Sequence, residues 1–320
     1  MYKEKISTAI KYRKDLYKDE TTTAFRIFNS HGDGINGLTI DFFDGYYLIT
    51  WYNIDIYNQK NEIVKALKLI PLYKGIYQKK RFDTKAMYLD DNEDFICGEK
   101  APKPLIVKEN DINFAIYLDD GAMVGIFLDQ REVRKTIRDK YSKNKTMLNT
   151  FSYTGAFSIA AALGGATKTT SVDLAKRSLP KTKEQFYINN IDLKNQEIIA
   201  QDVFDYFKYA IKKKIYFDLV VLDPPSFARS KKVTFSVSKD YVKLLKDAIQ
   251  ITNKGGVIVA STNYANLNMM KFRDFVKTAF KELNFKFEII EDFSLPKDFK
   301  ISDKFREGDY LKVLFIKKLS

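Results

Sequence analysis

From about residue 145 onward the chain repeats one unit, a short apolar run rich in β-branched residues followed by an amphipathic stretch. The apolar runs are 146–151, 169–173, 197–200, 217–223 and 256–262. Helix-patterned segments at 157–165, 175–190, 203–214 and 238–252 separate or follow them. Strands joined by helices cannot turn back through tight hairpins, so they pair in parallel and are covered on both faces. Two more strand-like runs, 286–293 and 310–318, follow with no helical stretch between them, which predicts an antiparallel edge. The expected fold is therefore α/β, a Rossmann-like sheet of seven strands. Ligands of such sheets sit at the carboxyl ends of the strands, at the point where strand order reverses.

The first part of the chain reads differently. Residues 4–20 are patterned as a short basic helix, and 1–21 are set apart as an N-terminal helical segment. Residues 37–52 form a hairpin pattern turning at Asp44-Gly45, and 105–118 form another turning near Asn110-Asp111. A helix is expected over 61–69, and strands at 76–80 and 86–88. These features predict a small α+β domain over 22–115, ahead of the α/β domain at 116–320.

Composition narrows the chemistry. With one cysteine, Cys97, and one histidine, His31, the chain has no internal disulfide, no zinc cluster, and no Ser-His-Asp or Cys-His machinery. Both residues read as structural. The net charge of +13 fits a polyanionic partner, nucleic acid before acidic membrane, although a lysine-rich composition alone would produce it. No apolar run approaches the ~20 residues of a membrane helix, and the first residues lack the apolar core of a secretory leader. The expectation is a cytoplasmic protein with neither a metal nor a membrane partner.

The carboxyl ends of the predicted strands carry the informative residues. After the first lies FSYTGAFS (151–158), a strand-to-helix turn with Gly155 at the bend. It matches neither the dinucleotide-binding nor the P-loop glycine pattern. The second strand ends in Asp173, whose carboxylate suits either ribose hydroxyls or the cap of a following helix. Asp202, after the third strand, is open to the same two readings. The fourth strand ends in DPPSF (223–227), a rigid acidic turn that two prolines forbid from continuing as strand.

In order and spacing, LNTFSYTGAFS, SVDLAKRSL, QDVFDYF and DLVVLDPPSFARSKK resemble the S-adenosylmethionine-dependent large-subunit (23S) ribosomal RNA methyltransferases of the Rlm group. The segments 33–48 and 124–137 resemble that group's middle domain and the lead-in to its catalytic domain, and the likeness runs from about residue 25 to 317. The resemblance implies a class I methyltransferase fold with S-adenosylmethionine as cofactor and ribosomal RNA as partner. It implies that Asn149, Phe151, Ser152, Tyr153 and Gly155 line the methionine side of the cofactor. Asp173 would take the ribose hydroxyls and Leu174 would pack on the adenine, with Asp202 and Val203 at the adenine edge. Phe127, Asp129, Gln130 and Arg131 would form the opposite wall, although FLDQR also reads as an ordinary helix start. Asp223, Pro224 and Pro225 would face the methyl group and the target base. Family members often carry an N-terminal RNA-binding PUA domain, and the roughly 20 residues ahead of the likeness are too few for a complete one.

The target base follows by elimination of nucleophile chemistry. Cytosine C5 needs a thiolate added at C6, and its relatives place that cysteine after the fifth strand. Here Ser261-Thr262-Asn263 occupy that place. Guanine N7 needs no deprotonation, and Asn263 offers an amide to hold the base. The expected activity is guanine N7 methylation. Exocyclic-amine transfer to adenine N6 or guanine N2, protein amide methylation, and a non-catalytic RNA- or ribosome-binding role remain alternatives. Phe227, Arg229, Lys231 and Lys232, on the loop after the acidic turn, are the candidate RNA contacts.

Overall fold

The structure, a computed structural model, describes residues 1–70, 72–82, 93–121, 123–229 and 234–320. Packing divides the chain into two units, Met1–Asp129 with Pro296–Gly308, and Gln130–Leu295 with Asp309–Ser320. The boundary expected between residues 115 and 116 thus lies 14 residues later, and a distant segment joins the first unit.

In the first unit α1 (Tyr2–Tyr12) buries Ile6 and Ala9. The expected helix over 4–20 stops there and resumes only as a single 3-10 turn at Leu16–Lys18. A five-stranded sheet follows, in the order β1 (Ala24–Asn29), β2 (Leu38–Phe43), β3 (Tyr46–Trp51), β4 (Gly75–Lys80) and β5 (Phe95–Gly98). Between β3 and β4 lie α2 (Ile54–Tyr57) and α3 (Lys60–Leu67), the crossover that lets β3 and β4 pair in parallel. A separate hairpin pairs β6 (Leu105–Glu109) with β7 (Ile112–Ile116). Both predicted hairpins form at the predicted turns. Asp44 and Gly45 have φ of 48° and 92°, and Asn110 and Asp111 have 49° and 64°, the paired left-handed conformation of a type I′ turn. The strand expected at 86–88 lies outside the described residues.

Pro296–Gly308 enters this unit through polar contacts that no local pattern announces. The Asp298 carboxylate accepts the Arg26 N–H at 2.9 Å, and the Asp298 carbonyl accepts Arg13 Nε and Nη2 at 2.9 and 2.6 Å. The Arg26 guanidinium lies 4.4 Å from the ring centre of Phe299, itself buried. His31 stacks on Phe305 at 4.0 Å.

The second unit opens with α4 (Arg131–Thr136), which runs on into a π-helical turn at Ile137–Tyr141. The alternation then proceeds as expected: β8 (Thr146–Thr150), α5 (Ala156–Leu163), β9 (Lys168–Asp173), α6 (Ser178–Ile188), β10 (Gln196–Ala200), α7 (Val203–Lys213) and β11 (Phe217–Leu222). A short hairpin, β12 (Phe227–Arg229) with β13 (Thr234–Ser236), stands where the sequence predicted a loop. Buried Phe235 anchors it against Phe204, their rings 5.7 Å apart. Then come α8 (Val237–Gln250), β14 (Thr252–Thr262), α9 (Met269–Glu282), β15 (Phe287–Phe293) and β16 (Lys312–Lys318). No element was expected at α9, although Phe272, Val276, Ala279 and Phe280 bury one face of it.

Seven strands among the described residues form one sheet, ordered β10-β9-β8-β11-β14-β16-β15. The antiparallel strand is not the edge, as expected, but β16, inserted between β14 and β15. Its apolar residues are buried on both faces, whereas β15 carries Glu288, Glu291 and Asp292 and suits an edge. Strand order reverses between β8 and β11, so the loops after those two strands flank the crevice.

Candidate active site at the carboxyl edge of the sheet

The loop leaving β8 is built from alternating backbone hands. Phe151, Tyr153 and Gly155 all have positive φ, at 53°, 50° and 80°. For the two aromatics this costs about 1 kcal/mol or more each, and the surroundings must hold them there. Ser152 N–H donates to the Val172 carbonyl at 3.0 Å, and Gly155 N–H to the Ser152 carbonyl at 2.7 Å. Phe151 packs its ring toward Phe204 and Phe235. Gly155 is required twice over, since a Cβ there would also lie 2.6 Å from Thr182 Cγ2.

Asp173 ends β9 and ties that loop to the next helix. One carboxylate oxygen accepts the Tyr153 N–H at 2.8 Å, and the other accepts the Ala175 N–H at 2.8 Å and the Ser178 hydroxyl at 3.3 Å. Beside it Leu174 is 58% exposed, unusual for a leucine between a strand and a helix. Asp202 caps α7, accepting from the N–H groups of Phe204 and Asp205 at 2.9 and 3.4 Å, and Val203 behind it is buried. The capping alternative is therefore realised at Asp202, whereas Asp173 stops short of α6, which starts at Ser178 with Arg177 in the cap position. Four lone-pair directions on each carboxylate leave room for further donors.

Two buried acceptors at this edge have no donor among the described residues. Asn149, on β8, donates Nδ2 to Ser158 at 3.1 Å, while its Oδ1 is unpartnered. Gln130 donates Nε2 to Asp223 Oδ1 at 3.2 Å and to Ser261 Oγ at 2.8 Å, and its Oε1 is likewise unpartnered. A buried carbonyl oxygen without a donor costs about 1–3 kcal/mol. A ligand bearing an ammonium or amine group fits both. Arg131 is buried, and Phe127 and Asp129 lie on the first unit's side of the boundary.

After β11, Asp223 is half-buried, Pro224 is buried and Pro225 is exposed. Ser226 Oγ donates to Asn263 Oδ1 at 2.6 Å, joining the acidic turn to the loop after β14. Tyr241, fully buried on α8, donates its hydroxyl to the Ser261 carbonyl at 2.6 Å. Burial first, and then the negative charge of Asp223, push that phenol well above its usual pKa, so it stays a donor. Lys312 donates Nζ to the carbonyls of Tyr264 and Tyr310, and burial pulls its pKa down against the opposing pull of Asp309. Tyr241 and Lys312 escaped the sequence reading, because a tyrosine or lysine at helix or strand spacing looks the same whether or not it braces a site. Ser226 and Ser261 enter that reading only as part of the acidic turn and of the segment in the cysteine's place. Phe227 projects from the hairpin, 62% exposed. Arg229 ends β12, and Lys231 and Lys232 lie outside the described residues. Among the described residues no group of acidic, histidine or cysteine side chains is placed to hold a metal, and no helix is long and apolar enough to cross a membrane.

This sheet order, with a glycine turn after β8, an acid ending β9 and an acidic diproline turn after β11, defines a class I methyltransferase. The model of the S-adenosylmethionine-dependent methyltransferase family matches residues 26–307, and the chain belongs to that family. Its cofactor is S-adenosylmethionine. The chain is 56% identical to YwbD of Bacillus subtilis, which carries the name of a ribosomal RNA large subunit methyltransferase, over 98% of this chain and 79% of that protein. It is 30% identical to the ribosomal RNA large subunit methyltransferase I of Aeromonas salmonicida, over 95% of this chain and 77% of that protein. Among solved structures, the methyltransferase SMU.776 in complex with S-adenosylhomocysteine matches with a TM-score of 0.92 and 40% identity, covering 99% of this chain and 80% of that one.

Proposed function

We propose that this methyltransferase modifies a base of large-subunit ribosomal RNA, in the cytoplasm, and that the acceptor is guanine N7. The names of its relatives support the RNA class. The observation that carries the atom is that Cys97 and His31 are the chain's only cysteine and histidine and both belong to the first unit. The catalytic unit thus lacks the thiolate that cytosine C5 requires and an imidazole base.

S-adenosylmethionine, when bound, supplies an electrophilic methyl group on a sulfonium. Asp173 accepts the ribose hydroxyls with the lone pairs its backbone bonds leave, and exposed Leu174 offers the adenine an apolar face. Asp202 and Val203 border the adenine edge. Asn149 and Gln130 present their unpartnered oxygens to the amino end, in the cradle formed by Phe151, Ser152, Tyr153 and Gly155. Arg131, in the same unit, completes the wall. The N7 lone pair lies in the base plane and needs no proton removed, so orientation does most of the catalysis. Asp223, with Pro224 and Pro225 holding it rigid, stabilises the positive charge that develops on the purine. Asn263 holds the base, Phe227 stacks on it, and Arg229, Lys231 and Lys232 meet flanking phosphates.

Labelled cofactor and large-subunit RNA test this directly. Methylated RNA should be cleaved by borohydride and aniline, which act at 7-methylguanine. Labelled RNA that resists cleavage and yields N6-methyladenine or N2-methylguanine would move the acceptor to an exocyclic amine.

A further inference from the structure

Asn263 leaves β14 exposed at the carboxyl edge with its Oδ1 already engaged by the Ser226 hydroxyl at 2.6 Å. An amide side chain has an acceptor end and a donor end. Because Ser226 holds the oxygen end, the direction of the amide is fixed, and its Nδ2 hydrogens have no partner among the described residues. Both ends of this bond are braced. The Ser226 carbonyl accepts the Val237 N–H at 3.2 Å, fixing the turn to the start of α8. On the other side Tyr264 N–H donates to Thr262 Oγ1 at 3.2 Å, and Lys312 donates to the carbonyls of Tyr264 and Tyr310 at 3.4 and 3.0 Å. The preceding Ser261 is held by Tyr241 at its carbonyl and by Gln130 at its hydroxyl.

We propose that Ser226 is a specificity-determining positioning residue: by holding Asn263 Oδ1 it fixes the amide with its Nδ2 end turned to the base, so the target base is selected by an acceptor such as guanine O6. Adenine and cytosine carry an amine on the equivalent edge and would set N–H against N–H. The inference rests on the reading that the base is seated at this edge.

The test uses the nucleotide that the parent protein methylates, replaced within a large-subunit RNA fragment by inosine or by 2-aminopurine. Both analogues keep N7, but only inosine keeps O6. The parent should favour inosine about tenfold in kcat/KM, the size of one lost hydrogen bond with a stranded donor. Ser226→Ala should shrink that ratio to about twofold, and Ser226→Thr should restore it. Cofactor affinity by calorimetry should be equal in all three. A full ratio in Ser226→Ala combined with a collapsed ratio in Asn263→Ala would overturn the role of Ser226 and leave the seating of the base intact. A full ratio in Asn263→Ala, or a mapped nucleotide that is not guanine, would overturn the seating itself.

Discussion

Asp33 and Asp41 in the first unit each face a guanidinium, whereas among the described residues Asp173 and Asp202 in the second meet only N–H groups and one hydroxyl. The Arg13–Asp33 pair is closed at both ends: Arg13 also donates to the Ala9 and Asp298 carbonyls, and Asp33 also accepts the Asn29 N–H. Both side chains are almost wholly buried. Charge neutralised in this way holds elements together and has little left for a ligand. A carboxylate held by neutral donors keeps its charge and its spare lone pairs. The same residue type thus reads as a structural member in one unit and as a waiting acceptor in the other.

The largest effect that would test this contrast is in the first unit. Arg13→Ala leaves Asp33 buried without its cation and should cost about 3–5 kcal/mol, read from urea unfolding. A midpoint unchanged from the parent would mean that the pair is not the closed structural contact described. Asp173→Ala should do the reverse. Stability should fall by only about 1–2 kcal/mol, as for hydrogen bonds lost at a half-buried loop, while S-adenosylmethionine affinity falls at least about tenfold in calorimetry. Equal affinity in mutant and parent would reduce Asp173 to a tie between the loop after β8 and the start of α6.

The smallest effect sharpens the comparison within the second unit, at the opposite end of the sheet. Burial disfavours the charge on Asp218, but the Thr146 N–H and hydroxyl and the Asn253 amide outweigh it and hold its pKa below the ordinary 3.8. A depressed folded pKa stabilises fully above the unfolded value and is lost as pH falls through the folded one. Asp218→Asn should therefore flatten the drop in urea midpoint between about pH 5 and pH 2. An identical acid profile in the variant would show that the carboxylate contributes nothing there.

What could be read in advance followed the range of the interactions. Asp173, Asp202 and Asp223 sit within two residues of strand ends that local periodicity locates, and Gly155 immediately precedes a helix start that it also locates. Helix α9 was also legible in principle, through the spacing of Phe272, Val276 and Phe280. The hairpin of β12 and β13 was hidden by its charged composition. Its buried anchor, Phe235, meets Phe204 from another helix, a contact 31 residues away in sequence.

The amino-acid sequence by itself determined the alternation of strands and helices, the two I′ turns and the residues at the carboxyl edge. Those depend on side-chain period and on φ preferences, which act over a few neighbours. Only the tertiary structure decided that β16 slips between β14 and β15, and that Pro296–Gly308 belongs to the first unit through Asp298 and Phe299. It alone oriented Asn263 through Ser226 and left the oxygens of Asn149 and Gln130 without donors. Each of these is a pairing between residues far apart in the chain, and its energy appears only when both partners have been desolvated in the same place.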